Sequence, residues 1–324
     1  MKKKIAQYPL IALLLSGAVL CIFTPPHYIF RVMTEYAVQV MFGYLFLGLF
    51  FLLLKQPRLM FVSFFACSAL ALHLKTNSNS DLKASEVTYN QIVIDVALVD
   101  VSNINDDPEG TIDAMLKLNT TILSISDINP LVYEFVRDTL SSLYPYTTSI
   151  IGFDPGIVVF SKYEIHHQEA FFVDGLPNVI GSIQPEQNGQ ELYFIASNTL
   201  PPFYAKDYER LQKQLQIIAD KANEINSPIL TFADYNLVQW SDEIHDFRAK
   251  AGLKDSRRGF SPASSTSIIG SLFYSPRDHI FFSEDFKCIG FENLKSSSSQ
   301  HLGIKGSFQF NFIVTNDKKT NQEF

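Results

Sequence analysis

The chain has 324 residues, 47% of them hydrophobic, and a formal net charge of −7 at pH 7. Seven of the 26 basic residues and one of the 33 acidic residues precede residue 76, so the remainder holds 19 basic and 32 acidic residues and carries a formal charge of −13. A domain this acidic repels polyanions, which disfavours long nucleic acid as a partner. The three cysteines, Cys21, Cys67 and Cys288, provide neither a disulfide framework nor zinc-ligand spacing.

Three apolar runs occupy the first 75 residues, at 5–23, 37–54 and 59–74. Because about 17 to 25 apolar residues can span a bilayer, residues 1–75 are predicted to form a membrane anchor of three transmembrane helices, of which the third is marginal. A cleaved signal peptide is the alternative for the first run, since Lys2-Lys3-Lys4 precedes it. The two further runs argue against simple secretion.

Basic residues predict the orientation of this anchor. The three lysines and the Lys55/Arg58 loop are expected in the cytoplasm by the positive-inside rule. Three spans then carry the rest of the chain outside, which predicts a multi-pass inner (plasma) membrane protein with an extracytoplasmic soluble domain. We expect a polar linker at 76–88, the soluble domain at 89–316 and a polar tail at 317–324.

The soluble domain alternates apolar strand patterns with amphipathic helices. Strands are predicted at 92–99, 121–125, 156–161, 192–196, 229–233, 278–282 and 306–312. Helices are predicted at 108–118 and 130–143 and in a long segment with Asp207 as its N-cap. This pattern is typical of a mixed α/β domain in which sheets pack against each other with helices outside.

The strand at 229–233 ends in Asp234-Tyr235-Asn236. Asp234 and Asn236 lie two residues apart and project to the same side of an extended chain, where an acid and an amide can orient a water and a phosphate oxygen. The alternative is a simple turn, because both residue types favour turns. Three more polar residues, Asp100, Asp127 and Asn198, also follow predicted strands, and strand ends are where α/β folds place ligands.

Further short motifs follow one another in a characteristic order. They are Asp107-Pro108-Glu109, Tyr144-Pro145-Tyr146, Ser161-Lys162-Tyr163, Leu200-Pro201-Pro202, the segment FADYNLVQWS at 232–241, Arg277-Asp278-His279 and Ser299-Gln300-His301. This ordered set resembles the endonuclease/exonuclease/phosphatase family, and the apolar amino-terminal third resembles its bacterial membrane-anchored subgroup. Trp240 within the fifth motif is interpreted as a packing anchor.

The resemblance implies an α/β fold of two packed mixed β-sheets flanked by helices, a four-layer sandwich, here preceded by transmembrane helices. It implies metal-dependent hydrolysis of a phosphate ester, as a phosphodiesterase or a phosphatase. Asp234 would orient or deprotonate the attacking water. Asn236 and His301 would contact the phosphate oxygens, and Asp278 would hold His301 in its useful tautomer.

The resemblance also implies a Mg²⁺ or Mn²⁺ ion, with Asp127 and Asp100 as ligands and Asn198 as a further phosphate contact. Several positions depart from the family pattern. The family usually has Asn at Asp100, Glu at Asp127, His at Asn198, Asp at Gln300 and Gly at Ala233.

These departures leave three hypotheses. The first is a hydrolase with a rearranged metal site that acts on a small phosphorylated substrate or a lipid head group. The second is a catalytically weakened or inactive protein that binds a phosphorylated ligand or a protein partner. The third is a structural membrane protein without a ligand.

Overall fold

The structure is a computed structural model that describes residues 7–79, 84–102, 104–152, 156–186, 189–257, 275–296 and 301–311. Gln300, the predicted polar tail at 317–324 and part of the predicted linker, residues 80–83, lie outside the described residues.

Within these residues the soluble domain contains two six-stranded sheets. The first sheet has the spatial order β11 (Phe286–Lys295), β12 (His301–Phe310), β1 (Ile94–Asp100), β2 (Ile122–Ser126), β4 (Ile157–Ser161) and β3 (Tyr146–Ile150). The second has the order β5 (His166–Val173), β6 (Leu176–Ile183), β7 (Leu192–Ser197), β8 (Ile229–Asp234), β10 (Asp278–Phe282) and β9 (Lys254–Asp255). Both sheets are mixed, since β1 pairs with β2 and β7 pairs with β8 in parallel, whereas the other pairs are antiparallel.

The sheets pack face to face over one apolar core. Val96 and Phe308 of the first sheet share this core with Phe194 and Phe232 of the second, and all four side chains are fully buried. Alternate residues of each strand point to opposite faces, so the outer face of each sheet is also available for packing. Burial of these apolar side chains is the main force that holds the two sheets together.

Helices cover both outer faces. The first sheet is covered by α5 (Pro108–Leu118) and α6 (Pro130–Leu140), whose apolar residues join a second core with that sheet. The second sheet is covered by α7 (Ala205–Glu224) and α8 (Asp242–Ala251) through a third core. The predicted architecture of two packed mixed sheets flanked by helices is therefore confirmed.

Local predictions differ from the structure at several points. Tyr204, not Asp207, occupies the N-cap of α7. Asp207 lies in the first turn, where a negative side chain interacts favourably with the helix dipole. A carboxylate oxygen of Asp207 is 3.5 Å from the guanidinium of Arg210. The sequence does not predict the hairpin β5–β6 or the strands β3, β9 and β11. Strand β5 has a largely exposed surface that gives it no apolar alternation, and β11 contains an irregularity between Cys288 and Gly290.

In the described part of the amino-terminal region, four α-helices precede the sandwich: α1 (Gln7–Ile22), α2 (Arg31–Glu35), α3 (Ala37–Leu53) and α4 (Pro57–Asn77). Among the described helices, α4 alone is long and apolar enough to cross a bilayer. A second span is long enough only if two consecutive helical segments, Tyr28–Glu35 and Ala37–Leu53, count as one span despite the 59° bend between them. Helix α1 is apolar but has 16 residues, a length of about 24 Å, whereas a bilayer core is about 30 Å thick. The predicted linker also begins later than residue 76, because α4 continues to Asn77.

These helices pack on one another and directly on the sandwich. Val238 and Trp240, which follow β8, belong to the same buried cluster as the helices. The indole Nε1 of Trp240 donates a hydrogen bond to the carbonyl oxygen of Thr34 at 2.7 Å, and the residue is 2% exposed. Trp240 is a packing anchor, as predicted, and its partner is the helical bundle.

Many large apolar side chains cover the outer surface of the bundle. They include Leu13, Phe46, Leu53, Phe61, Phe65 and Leu72, and Leu53 is 80% exposed. Exposed apolar side chains in this number are typical of a region that contacts a membrane or another protein.

Trp240 is the only tryptophan of the chain and therefore reports on this contact. In the full-length protein in detergent, we expect a blue-shifted emission that aqueous acrylamide quenches weakly, because the bundle covers the indole. A variant that lacks residues 1–78 should show a red shift and strong quenching. Equal quenching of both proteins would contradict the observed packing.

Candidate active site

The predicted site residues meet where parallel strands end. Asp100 ends β1 and Asp234 ends β8, while Asp127 and Asn198 directly follow β2 and β7. Each sheet thus contributes the carboxyl ends of its one parallel pair, and the packed sheets bring both pairs to the same edge of the sandwich. These four residues line one cavity of about 750 Å³, together with Asn236 and Arg277.

Antiparallel neighbours complete this edge. Asp278 begins β10 directly opposite Asp234, and His301 begins β12, which pairs with β1. Strand β12 approaches β1 closely at Gly303, where φ is +153° and a Cβ atom would lie 1.9 Å from the carbonyl oxygen of Leu98. The glycine is therefore required for β12 to carry His301 to the site.

The loop after β8 is stabilised by its own polar groups. The carboxylate Oδ1 of Asp234 accepts a hydrogen bond from the backbone N–H of Asn236 at 2.7 Å. Asn236 has φ +54°, a left-handed conformation that Asn tolerates better than most residues. Its side-chain amide donates to Oγ1 of Thr199 at 3.0 Å, and the Thr199 hydroxyl donates to the carbonyl oxygen of Asp234 at 2.8 Å.

Asn198 holds Asp127 in place. Its amide Nδ2 donates to Oδ1 of Asp127 at 3.0 Å and to the carbonyl oxygen of Gly156 at 3.1 Å. Both N–H groups are therefore engaged within the protein, and the role of Asn198 as a phosphate contact stays a prediction. Gly156 allows this arrangement, because a Cβ atom there would lie 2.3 Å from the carbonyl oxygen of Ile128.

His301 and Asp278 form a close pair. The ring Nε2 of His301 lies 2.5 Å from Oδ2 of Asp278, and both side chains are almost entirely buried. On the other side, the guanidinium of Arg257 donates two hydrogen bonds to the carbonyl oxygen of Asp278, at 3.0 and 3.2 Å. Asp278 is therefore fixed by its backbone and its side chain, as the orienting partner of a histidine must be.

The two acids facing each other across β8 and β10 have opposite pKa shifts. Burial, reinforced by the negative charge of Asp278, raises the pKa of Asp234 to about 7, although Arg277 opposes this shift. Burial alone would also raise the pKa of Asp278, but the charge and the hydrogen bond of His301 outweigh it and lower the pKa of that carboxyl. Burial likewise raises the pKa of Asp100, against the hydrogen bond from Ser102.

Arg277 is a site residue that the sequence reasoning did not assign. It lines the cavity beside Asp234 and also a smaller cavity of about 200 Å³ that contains Asp278 and His301. A guanidinium there suits a phosphate group, which it can bind through two parallel hydrogen bonds. The sequence feature that could have identified Arg277 as a site residue is its position next to Asp278 in the motif Arg277-Asp278-His279.

A divalent cation is compatible with this carboxylate edge. In the part of the chain that the structure describes, no group of three His, Cys, Asp or Glu side chains forms a ready-made ligand set. Asp100 and Asp234 each use Oδ1 to accept a local backbone hydrogen bond, which fixes the carboxylate towards the cavity that Asp127 also lines. Mg²⁺ is commonly coordinated by one or two carboxylates, with water and substrate phosphate as the remaining ligands.

Comparisons with known proteins agree with this fold. An endonuclease/exonuclease/phosphatase family protein from Bacteroides thetaiotaomicron superposes with a TM-score of 0.56 at 15% identity, over 69% of this chain and 100% of that one. A mannosyl-6-phosphatase from the same organism gives 0.53 at 15% identity, over 67% and 100%. The 2′,3′-cyclic phosphatase ANGEL2 gives 0.54 at 12% identity, over 71% and 99%.

The soluble domain thus has the fold of the endonuclease/exonuclease/phosphatase proteins, as the sequence motifs predicted. No protein-family model matches the chain, and no curated protein sequence matches it significantly.

The raised pKa of Asp234 predicts a pH-dependent stability. The pKa of Asp234 is about 7 in the folded protein and near 4 in an unfolded chain, so the folded state binds the proton more tightly. The stabilisation from the protonated carboxyl is therefore complete below about pH 4 and is lost as the pH rises to about 7. Asp234→Asn, which keeps the acceptor for the Asn236 N–H, should therefore be more stable than the parent at pH 8, by on the order of 2–4 kcal/mol, and similar to it at pH 4.

Thermal unfolding without added metal at several pH values measures this difference. Asp113→Asn, at an exposed position of α5, is the control and should follow the parent at every pH. A constant difference between Asp234→Asn and the parent from pH 4 to pH 8 would contradict a raised pKa for this carboxyl.

Proposed function

We propose that the protein is a membrane-anchored, metal-dependent phosphoester hydrolase. The observation that carries this proposal is the convergence of Asp234, Asp278–His301 and Arg277 on one edge of a sandwich whose fold is shared with phosphatases. The cleft offers a base, an aspartate–histidine pair and a guanidinium cation for phosphate, which together suit water attack on phosphorus.

Each side chain has a role in this proposal. Asp234 orients the attacking water and accepts its proton, for which a pKa near 7 is well matched at neutral pH. His301, held by Asp278, and Arg277 bind the phosphate oxygens and stabilise their developing charge. Asn236 lies at the cavity wall and keeps Asp234 in position through its backbone N–H.

Mg²⁺ or Mn²⁺ would be held by Asp100 and Asp127 at the carboxylate edge. When bound, the ion would supply Lewis-acid stabilisation of the phosphate charge. Small phosphorylated compounds and lipid head groups both suit a cavity of this size, whereas long nucleic acid is disfavoured by the acidic domain.

The alternative is a domain that binds a phosphorylated ligand without turnover. One observation favours it: Asn198 uses both N–H groups inside the protein and can neither transfer a proton nor carry charge. A catalytic site that lacks one member of a cooperating set can lose several orders of magnitude in rate.

Hydrolysis by the full-length protein in detergent distinguishes the two functions. With Mg²⁺, we expect slow cleavage of bis-p-nitrophenyl phosphate or p-nitrophenyl phosphate that EDTA abolishes. Asp234→Ala should reduce the rate at least about 100-fold, because the general base contributes roughly 10²–10⁴-fold. Asp113→Ala, an exposed acid remote from the cleft, is the matched control and should retain the parent rate. Saturable phosphate binding without cleavage would favour the alternative.

Anchoring in the inner membrane is a further element of the proposal. The apolar outer surface of the helical bundle supports it. By length and composition the described helices supply one span, or two if the bent pair counts as one. The three spans predicted from the sequence would place the domain outside the cytoplasm. Alkaline phosphatase fused after residue 79 should then be active, and green fluorescent protein at the same point should be dark. The reverse pattern would contradict this orientation.

A further inference from the structure

The loop that follows β8 is held from two directions. From within the soluble domain, ring Nε2 of His279 contacts the carbonyl oxygen of Leu237 at 2.8 Å, and Thr199 binds the Asn236 side chain. From outside it, the guanidinium Nη2 of Arg31 donates a hydrogen bond to the carbonyl oxygen of Asn236 at 2.9 Å. Arg31 belongs to the bundle, 205 residues earlier in the chain.

Arg31 is itself fixed in a built environment. Its guanidinium lies 5.5 Å from the ring centre of Tyr208 and its Nε is 3.8 Å from a carboxylate oxygen of Glu243. The Tyr208 hydroxyl donates to the same carboxylate at 2.7 Å. The Arg31 side chain is 11% exposed, so its direction is set by these contacts rather than by solvent.

A second contact reaches the cleft from the same segment. A carboxylate oxygen of Glu35 lies 3.9 Å from the guanidinium of Arg277, which lines both cavities of the cleft. Arg31 and Glu35 are the only Asp, Glu, Lys or Arg residues between residues 5 and 54. Charged residues in such an apolar region are costly unless they have partners, and both have partners at the cleft.

We propose that the segment Tyr28–Glu35 between the first two apolar helices is a structural part of the phosphate cleft, in which Arg31 is a positioning residue for Asn236. This inference rests on the proposed hydrolase function. Asn236 has a left-handed backbone conformation, and contacts to both its C=O and its N–H hold it there. Its backbone N–H in turn holds the carboxylate of Asp234. Arg31 therefore acts on the direction of the general base through the backbone of one residue, because it holds the C=O of Asn236 while the N–H of Asn236 holds Asp234.

The test compares three variants of the full-length protein in lipid nanodiscs with Mg²⁺. Arg31→Met removes the N–H donors and keeps an unbranched side chain, whereas Arg31→Lys keeps the positive charge and a donor nitrogen. Arg137→Met, at an exposed position of α6, is the matched control. The readouts are kcat and KM for the p-nitrophenyl esters, amide hydrogen exchange of residues 235–238, and the emission maximum of Trp240.

We expect Arg31→Met to lower kcat about 10- to 100-fold with KM changed less than about threefold, since small misplacement of a reacting group has effects of this size. Amide exchange of residues 235–238 should be faster, the Trp240 emission should stay unchanged, and Arg31→Lys should recover part of kcat. Arg137→Met should match the parent in every readout.

Unchanged kcat and unchanged exchange in Arg31→Met would overturn the inference and leave the proposed function intact. A red-shifted Trp240 emission in that variant would also overturn it, because Arg31 would then dock the domain rather than position the loop. If the parent protein cleaves neither ester, the proposed function fails, and the exchange of residues 235–238 alone decides whether Arg31 holds the loop.

Discussion

Face-to-face packing of the two sheets is the constraint on which the site depends. Each sheet contains one parallel pair, β1–β2 or β7–β8, and a parallel strand delivers its last residue to the same edge as its neighbour. The buried core between the sheets aligns these two edges, so Asp100 and Asp234 face one cleft although they come from different layers. A shift of one sheet against the other would therefore separate the cleft residues, even if the conformation of each residue within its own strand stayed the same.

The cleft concentrates buried negative charge, which is unfavourable for folding. Asp234, Asp278 and Asp100 lie close enough to influence one another, and burial raises the pKa of two of them. His301 and Arg277 compensate part of this charge. A site that keeps uncompensated carboxylates at a cost in stability is typical of functional positions rather than of structural ones.

Sequence reasoning located the strands and strand-end residues well, because burial on both faces produces continuous apolar runs. It succeeded for β8 with Asp234, whose apolar stretch and polar end are both local signals. It missed β5, whose mostly exposed surface gives no periodic signal, and also the fully buried β6, whose apolar run is interrupted by Pro177, Asn178 and Gly181. It could not assign Arg31, whose role depends on a contact across 205 residues. The internal hydrogen bonds of Asn198 were equally out of reach, since they depend on the backbone at Gly156.

The bundle and the sandwich form one structural unit rather than a domain on a tether. Residues within the expected linker at 76–88 contact the sandwich: the Asn77 carbonyl oxygen lies 3.0 Å from Nε2 of His245, and the Ser85 backbone N–H donates to the Cys288 carbonyl oxygen. In the loop that follows β8, the bundle also contacts Trp240 and the carbonyl oxygen of Asn236. A flexible linker would allow many orientations of the cleft, whereas these contacts fix one. The position of the cleft relative to the apolar helices is therefore a property of the fold itself.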